Sequence, residues 1–259
     1  MAAGHSHGIE IDAFAGLDSP IHRWDGRFKI AGLLGLIVAF ASVQTIRSLP
    51  FLILITVTIY ALSHLPWHIL RHRLAIPGLV VSALVIFLPF ISGETVLFSA
   101  GPIQIRQEGL FLALLIAGRL FCIVTLAFVM FGTDTFVRTI HALRALKFPD
   151  IMADMVILTY RYLFEISAFF AQMQTAARLR GFQGNTFSMS NIGTLASLIG
   201  HLFIRSYEKS ERVYKAMVLR GYGYQAVRQD LFAATRDDVL KTAVCLLIAI
   251  LLIASDYLI

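Results

Sequence analysis

Residues 110–131 read LFLALLIAGRLFCIVTLAFVMF, an apolar run whose one formal charge is Arg119. At about 1.5 Å per residue, a helix of this length covers roughly 30 Å, the hydrocarbon thickness of a bilayer. Four further stretches have the same character, at about 30–46, 49–65, 76–92 and 240–258. The first two are short and meet near Ser48-Leu49-Pro50, so they read as a tight helical hairpin. Pro77 stands at the expected start of the third stretch, where a missing N–H is harmless. Pro89, near its end, is a kink or stop signal.

The rest of the chain agrees with a membrane setting. Of 259 residues, 58% are apolar, with 18 Gly in addition, and 15% are charged. Soluble domains hold about 45–50% apolar residues with Gly included, and about 25% charged. That composition argues against an ordinary cytosolic enzyme, and more strongly against a disordered or nucleic-acid-wrapping chain. The expected fold is all-α, a polytopic helical membrane protein of about five transmembrane helices. Cys122 and Cys245 both fall in apolar stretches and read as small buried hydrophobes.

Sidedness follows from Lys and Arg. With the N-terminus inside, 19 of the 22 lie in inner segments, Arg47 and Arg106 lie outside, and Arg119 is within the fourth span. The net charge of +6 therefore marks inner loops rather than a nucleic-acid partner. The expected organisation is a cytoplasmic segment 1–29, spans one to four over 30–131, a cytoplasmic block 132–238, and span five over 239–259 with its end outside. Residues 182–204 carry no formal charge, but Gln183, Asn185, Thr186, Ser188 and Ser190 are too polar for lipid. A crossing there would also strand the eight cations from Arg205 to Lys241 on the outer side.

The block 132–238 reads as three helical pieces. One covers about 134–147, with Thr133 or Asp134 as N-cap and a stop before Pro149. The second covers about 150–180, with Met155, Leu158, Tyr162, Ile166, Phe169 and Met173 at helical spacing. The third covers about 188–220, with Glu208 and Glu211 four residues before Arg212 and Lys215. Both long pieces end alike, in Leu179-Arg180-Gly181-Phe182 and Leu219-Arg220-Gly221-Tyr222. A plain helix stop explains one such ending: Gly turns left-handed and Arg faces the negative end of the dipole. Two matched endings raise a second reading, in which each presents a guanidinium to a partner's carboxylates or carbonyls.

At these residues the chain resembles the transmembrane T component of energy-coupling-factor transporters (the EcfT/CbiQ family), most closely the CbiQ type of cobalt and nickel uptake systems. Ser19-Pro20-Ile21-His22-Arg23-Trp24-Asp25-Gly26-Arg27-Phe28-Lys29, Arg119, Gly132-Thr133, Leu146-Lys147-Phe148-Pro149 and Tyr160-Arg161-Tyr162 fall in the family's order. The two Arg-Gly endings correspond to its paired Ala-Arg-Gly signatures, with Leu179 and Leu219 replacing the alanine. The resemblance implies a non-catalytic subunit without cofactor. Its long cytoplasmic helices would be coupling helices, with Leu179, Arg180, Gly181, Leu219, Arg220 and Gly221 contacting two ATP-binding cassette ATPase subunits. It further implies a metal-binding substrate subunit in the cell (inner) membrane, attended by a small accessory membrane protein. Arg119, Pro149 and Arg161 would support the coupling helices.

Other residues admit narrower readings. Arg119, a charge inside a span, is a functional candidate or a packing residue paired with a carbonyl. Arg161 pairs locally with Glu165, or braces the coupling helices. Pro149 starts a helix. His5 and His7 lie on a tail without third and fourth ligands, and their reading is incidental. His64, His68 and His72 recur at i, i+4, i+8 near the inner end of the second span, with Pro66 interrupting. The chain holds no G-x-x-x-x-G-K-[ST] and no H-E-x-x-H. An intramembrane lipid or prenyl transferase would need an acidic cluster where only Asp134, Asp150 and Asp154 are scattered. A self-sufficient carrier would favour repeated spans and polar groups at mid-membrane.

Overall fold

The computed structural model describes residues 19–91, 96–100, 103–182, 189–223 and 234–258. Its helices are α1 (Gly26–Ser42), α2 (Leu49–Ser63), α3 (Trp67–Ile91), α4 (Gln107–Gly132), α5 (Phe136–Ala145), α6 (Asp150–Leu179), α7 (Met189–Leu219) and α8 (Arg236–Leu258). Strands β1 (Val96–Ala100) and β2 (Ile103–Arg106) form an antiparallel hairpin between α3 and α4, with Val96 opposite Arg106 and Ala100 opposite Ile103. No pattern in the sequence marked that hairpin. The described residues divide into two compact units, one of α1–α5 with α8 and one of α6 with α7.

Among the described residues, four helices are long and apolar enough to cross a bilayer, over Ile46–Ser63, Trp67–Leu88, Gln107–Gly132 and Arg236–Asp256. The remaining expected span, α1, has 17 residues, the short end of the spanning range. It is a multi-pass helical membrane protein. α7, although 31 residues long, has no apolar window of spanning character.

The membrane unit is organised around α4, which lies against α1, α2 and α3, while α1 also packs on α5 and α8. Leu33, Leu36, Ala39 and Phe40 of α1 meet Cys122, Leu126 and Met130 of α4 and Ala249 and Leu252 of α8 in one buried cluster. Between membrane helices this cohesion comes from close van der Waals packing rather than from exclusion of water. The outer faces stay apolar, with Ile76 80% exposed, as a lipid-facing surface requires.

Local signals explain the helix ends, and some differ from expectation. The Asp25 carboxylate accepts from the Arg27 amide and opens α1. α3 begins just after Pro66, so Arg71, Arg73 and Pro77 lie inside a helix expected to start near residue 76. His64 ends α2 in the left-handed region (φ 53°) while His68 and His72 belong to α3, so the three histidines share no single helical face. α5 is capped by Thr135, whose hydroxyl accepts from the Arg138 amide, and not by Thr133 or Asp134. Those two residues are buried and engaged elsewhere, which also sets α5 beside α1.

Candidate functional site

The two matched Leu-Arg-Gly ends terminate α6 and α7 with the same backbone lock. After α6, the Phe182 amide donates to Ala177 O at 3.1 Å and the Gly181 amide to Arg178 O at 3.0 Å. After α7, the Tyr222 amide donates to Met217 O at 3.0 Å and the Gly221 amide to Val218 O at 2.9 Å. Both are Schellman stops, which need a left-handed residue, and Gly181 (φ 91°) and Gly221 (φ 82°) supply it. Among the described residues, a Cβ at either glycine would meet nothing within 4 Å, so both glycines face open space. Gly181→Ala and Gly221→Ala should therefore each cost about 1–2 kcal/mol of backbone strain with no clash. Faster hydrogen exchange at amides 180–182 or 220–222, with the rest of the helix unchanged, would register it.

What these ends display is unusual for a surface. Leu179 is 86% and Leu219 88% exposed. Arg180 and Arg220 are exposed beside them, and neither guanidinium has an ion-pair or hydrogen-bond partner among the described residues. Within about three turns back along α7, the charges pair with one another. Lys215 contacts Glu211 at 2.8 Å and Arg212 lies 3.9 Å from Glu208, at the spacing expected from sequence. The Lys215 ammonium, by hydrogen bonding and by its charge, holds the Glu211 carboxyl below its usual range.

The two ends point apart. Asp154 of α6 accepts from the Tyr222 hydroxyl at 3.0 Å, Glu165 pairs with Lys209 at 2.6 Å, and Arg205 stacks on Phe169. Rising residue numbers on α6 meet falling numbers on α7, so the helices run antiparallel. Arg180 lies about 26 residues beyond Asp154, roughly 39 Å along the helix from the Arg220 end. Glu165 is thus taken by Lys209 on the neighbouring helix rather than by Arg161. The Arg161 guanidinium instead lies 5.9 Å from the Tyr162 ring. Pro149 (φ −54°) occupies the N-cap of α6. Arg119 of α4 donates to Ala41 O at 3.0 Å and Val43 O at 3.1 Å, covering the free carbonyls at the end of α1.

The sequence profile of a family described as CbiQ, cobalt transport protein, matches residues 18–230, which includes both Arg-Gly ends. The chain belongs to the CbiQ family. A protein named energy-coupling factor transporter transmembrane protein EcfT from Limosilactobacillus fermentum is 23% identical over 94% of this chain and 96% of its own length. A protein of the same name from Lactococcus lactis subsp. cremoris is 24% identical over 92% and 94%. An uncharacterised protein of Methanocaldococcus jannaschii is 33% identical, but the match covers 46% of this chain and 44% of that protein.

This CbiQ-family chain also contains polar sites that its sequence did not disclose. Lys29 Nζ lies 2.5 Å from Asp134 Oδ2 and donates to Thr133 Oγ1 at 3.1 Å, with the lysine side chain fully enclosed. Asp256 of α8 accepts from the Gln44 and Thr45 amides at 2.8 and 3.0 Å and from the Thr45 hydroxyl at 2.6 Å. With Arg119 on its carbonyls and Asp256 on its amides, the turn after α1 is held from two helices. A usable signal existed: Lys29 and Asp134 are opposite charges flanking spans at the same expected depth. No group of three or more His, Cys, Asp or Glu residues among the described residues is arranged to hold a metal ion. His5 and His7, and Gln183, Asn185, Thr186 and Ser188, lie outside the described residues.

Proposed function

We propose that this CbiQ-family protein is the non-catalytic coupling subunit of an energy-coupling-factor importer for cobalt or nickel. The observation that carries the reading is the pair of exposed, partnerless Arg180 and Arg220, set on rigid stops at opposite ends of an antiparallel helix pair. A guanidinium makes forked hydrogen bonds to carboxylates and carbonyls. Two such groups roughly 39 Å apart suit two copies of one receiving surface. The name borne by the two near-full-length relatives supports the same assignment.

In this reading α6 and α7 are coupling helices on the cytoplasmic side, the N-terminus is inside and the C-terminus outside the cell membrane. Two ATP-binding cassette ATPase subunits receive the two ends. ATP-driven closure moves another protein only through contacts that differ between states, and the tips are those contacts. A separate membrane subunit carries the metal, with a small accessory membrane protein beside it. The chain binds no cofactor and performs no chemistry.

The test is purification of the tagged full chain with its co-expressed genomic neighbours. Two nucleotide-binding subunits should accompany each chain, and ATPase activity should be absent from the chain alone. A chain that transports metal unaided in liposomes, or that recovers no nucleotide-binding protein, overturns the reading.

A further inference from the structure

The short connection between α2 and α3 joins two spanning helices and so lies at a membrane surface. The apolar run of α2 stops at Ser63 and that of α3 starts at Trp67. Trp67 is exposed, and Tyr60 of α2 meets it edge-on with ring centroids 6.0 Å apart. Paired amphipathic rings of this kind settle at headgroup depth. Residues 67–73 rise about 9 Å along α3, and residues 74–91 cover about 27 Å, close to the hydrocarbon thickness. The first two turns of α3 therefore stand among headgroups and the remainder among acyl chains.

Those two turns read Trp67-His68-Ile69-Leu70-Arg71-His72-Arg73, and α3 carries no acidic residue along its length. Leu70 and Val81 are buried and mark the face turned to the bundle, while the Arg73 guanidinium carbon lies 5.6 Å from the Phe128 ring of α4. Away from that face, His68, His72, Ala75, Leu79 and Ile86 form one exposed row at helical spacing. Arg71, also exposed, stands beside the row, three residues after His68 and four after Trp67. Arg71, His68 and His72 have no ion-pair or hydrogen-bond partner among the described residues. A basic head thus runs straight into an apolar track on one outward face of one spanning helix. That pattern matches an amphiphile with an anionic end, and lipid is the amphiphile surrounding such a face. A zwitterionic lipid brings its own ammonium beside the phosphate. An anionic one leaves the phosphate uncompensated, which suits an arginine fork on a helix without acids.

We propose that Arg71, with His68 and His72, binds the phosphodiester of an anionic phospholipid whose chain follows the Ala75–Leu79–Ile86 track. The inference needs the membrane setting alone and rests neither on ATPase coupling nor on which leaflet this surface faces. It is tested by native mass spectrometry of the full chain in neutral detergent, titrated separately with phosphatidylglycerol, phosphatidylcholine and glycerol 3-phosphate. Wild type should retain phosphatidylglycerol with about tenfold preference over phosphatidylcholine, about 1.4 kcal/mol. Arg71→Gln should abolish that preference, Arg71→Lys should keep part of it, and His68→Leu/His72→Leu should lower it. Arg47→Gln removes an exposed cation at the other end of α2, hence at the opposite membrane surface, and should leave the preference intact. Circular dichroism of each variant checks that the helices persist.

Three results overturn the proposal. An unchanged preference in Arg71→Gln or in His68→Leu/His72→Leu removes the site, and is also the result expected if a protein partner covers this face. An equal loss in Arg47→Gln reduces the effect to general surface charge. Displacement of the lipid by glycerol 3-phosphate at equal concentration makes the ligand a free phosphate.

Discussion

Asp134→Ala is expected to destabilise the membrane unit by about 3–5 kcal/mol, the cost typical of leaving one member of a buried ion pair alone. The geometry leaves Lys29 no escape. Its side chain is 0% exposed and that of Asp134 2%, and among the described residues the one other acceptor of its Nζ is Thr133 Oγ1 at 3.1 Å. The Thr133 hydroxyl spends its own proton on Val129 O at 2.8 Å, so it can accept from Lys29 but cannot replace a carboxylate's charge. Lys29→Met alone strands Asp134 in the same way, softened by Arg138, which lies 3.6 Å from Asp134 Oδ1 and is half exposed. The double variant Lys29→Met/Asp134→Leu should recover most of the loss, because two apolar groups of similar volume leave no charge buried. Unfolding of the three variants in a denaturing-detergent titration reads the difference. An Asp134→Ala protein as stable as wild type would mean that water reaches the pair.

This pair also shows where a sequence stops being legible. The spans at 49–65, 110–131 and 240–258 could be located because hydropathy is a local, additive property. The Leu-Arg-Gly stops were equally legible, since a Schellman lock is closed by residues within one turn of each other, Ala177 to Phe182 and Met217 to Tyr222. Contacts across the chain left no such trace. Glu165 had Arg161 within helical reach, yet Lys209, 44 positions away, holds it at 2.6 Å. Thr133 and Asp134 carried the right side chains to cap α5. Their capture by Lys29, 104 positions back from Thr133, left Thr135 to do so. At Pro66 and Pro77 the local rule was sound but applied to the wrong proline: α3 opens after Pro66 and tolerates Pro77 in its interior. A lost backbone hydrogen bond inside a long membrane helix is re-satisfied locally more readily than in a short soluble one.

Under the proposed coupling role, the paired charge reversal Arg180→Glu/Arg220→Glu should eliminate ATPase docking and metal uptake while leaving the protein folded. Nothing inside the described chain depends on either guanidinium, so the thermal stability of the isolated subunit should stay within about 0.5 kcal/mol of wild type. That separates this pair from Lys29 and Asp134, whose loss is felt by the fold itself. Each single reversal should weaken docking by roughly 2–5 kcal/mol, the range for breaking one hydrogen-bonded charge contact at an interface. Because the two ends are roughly 39 Å apart on an antiparallel pair, the two losses should add. Arg→Lys at either end keeps the charge but not the fork, and should fall between wild type and Glu. Measuring subunit retention on an affinity column alongside uptake distinguishes lost assembly from lost coupling. A double variant that still assembles and transports normally would mean that the two exposed arginines are plain helix stops. Gly181 and Gly221 would then account for the repeated motif by themselves.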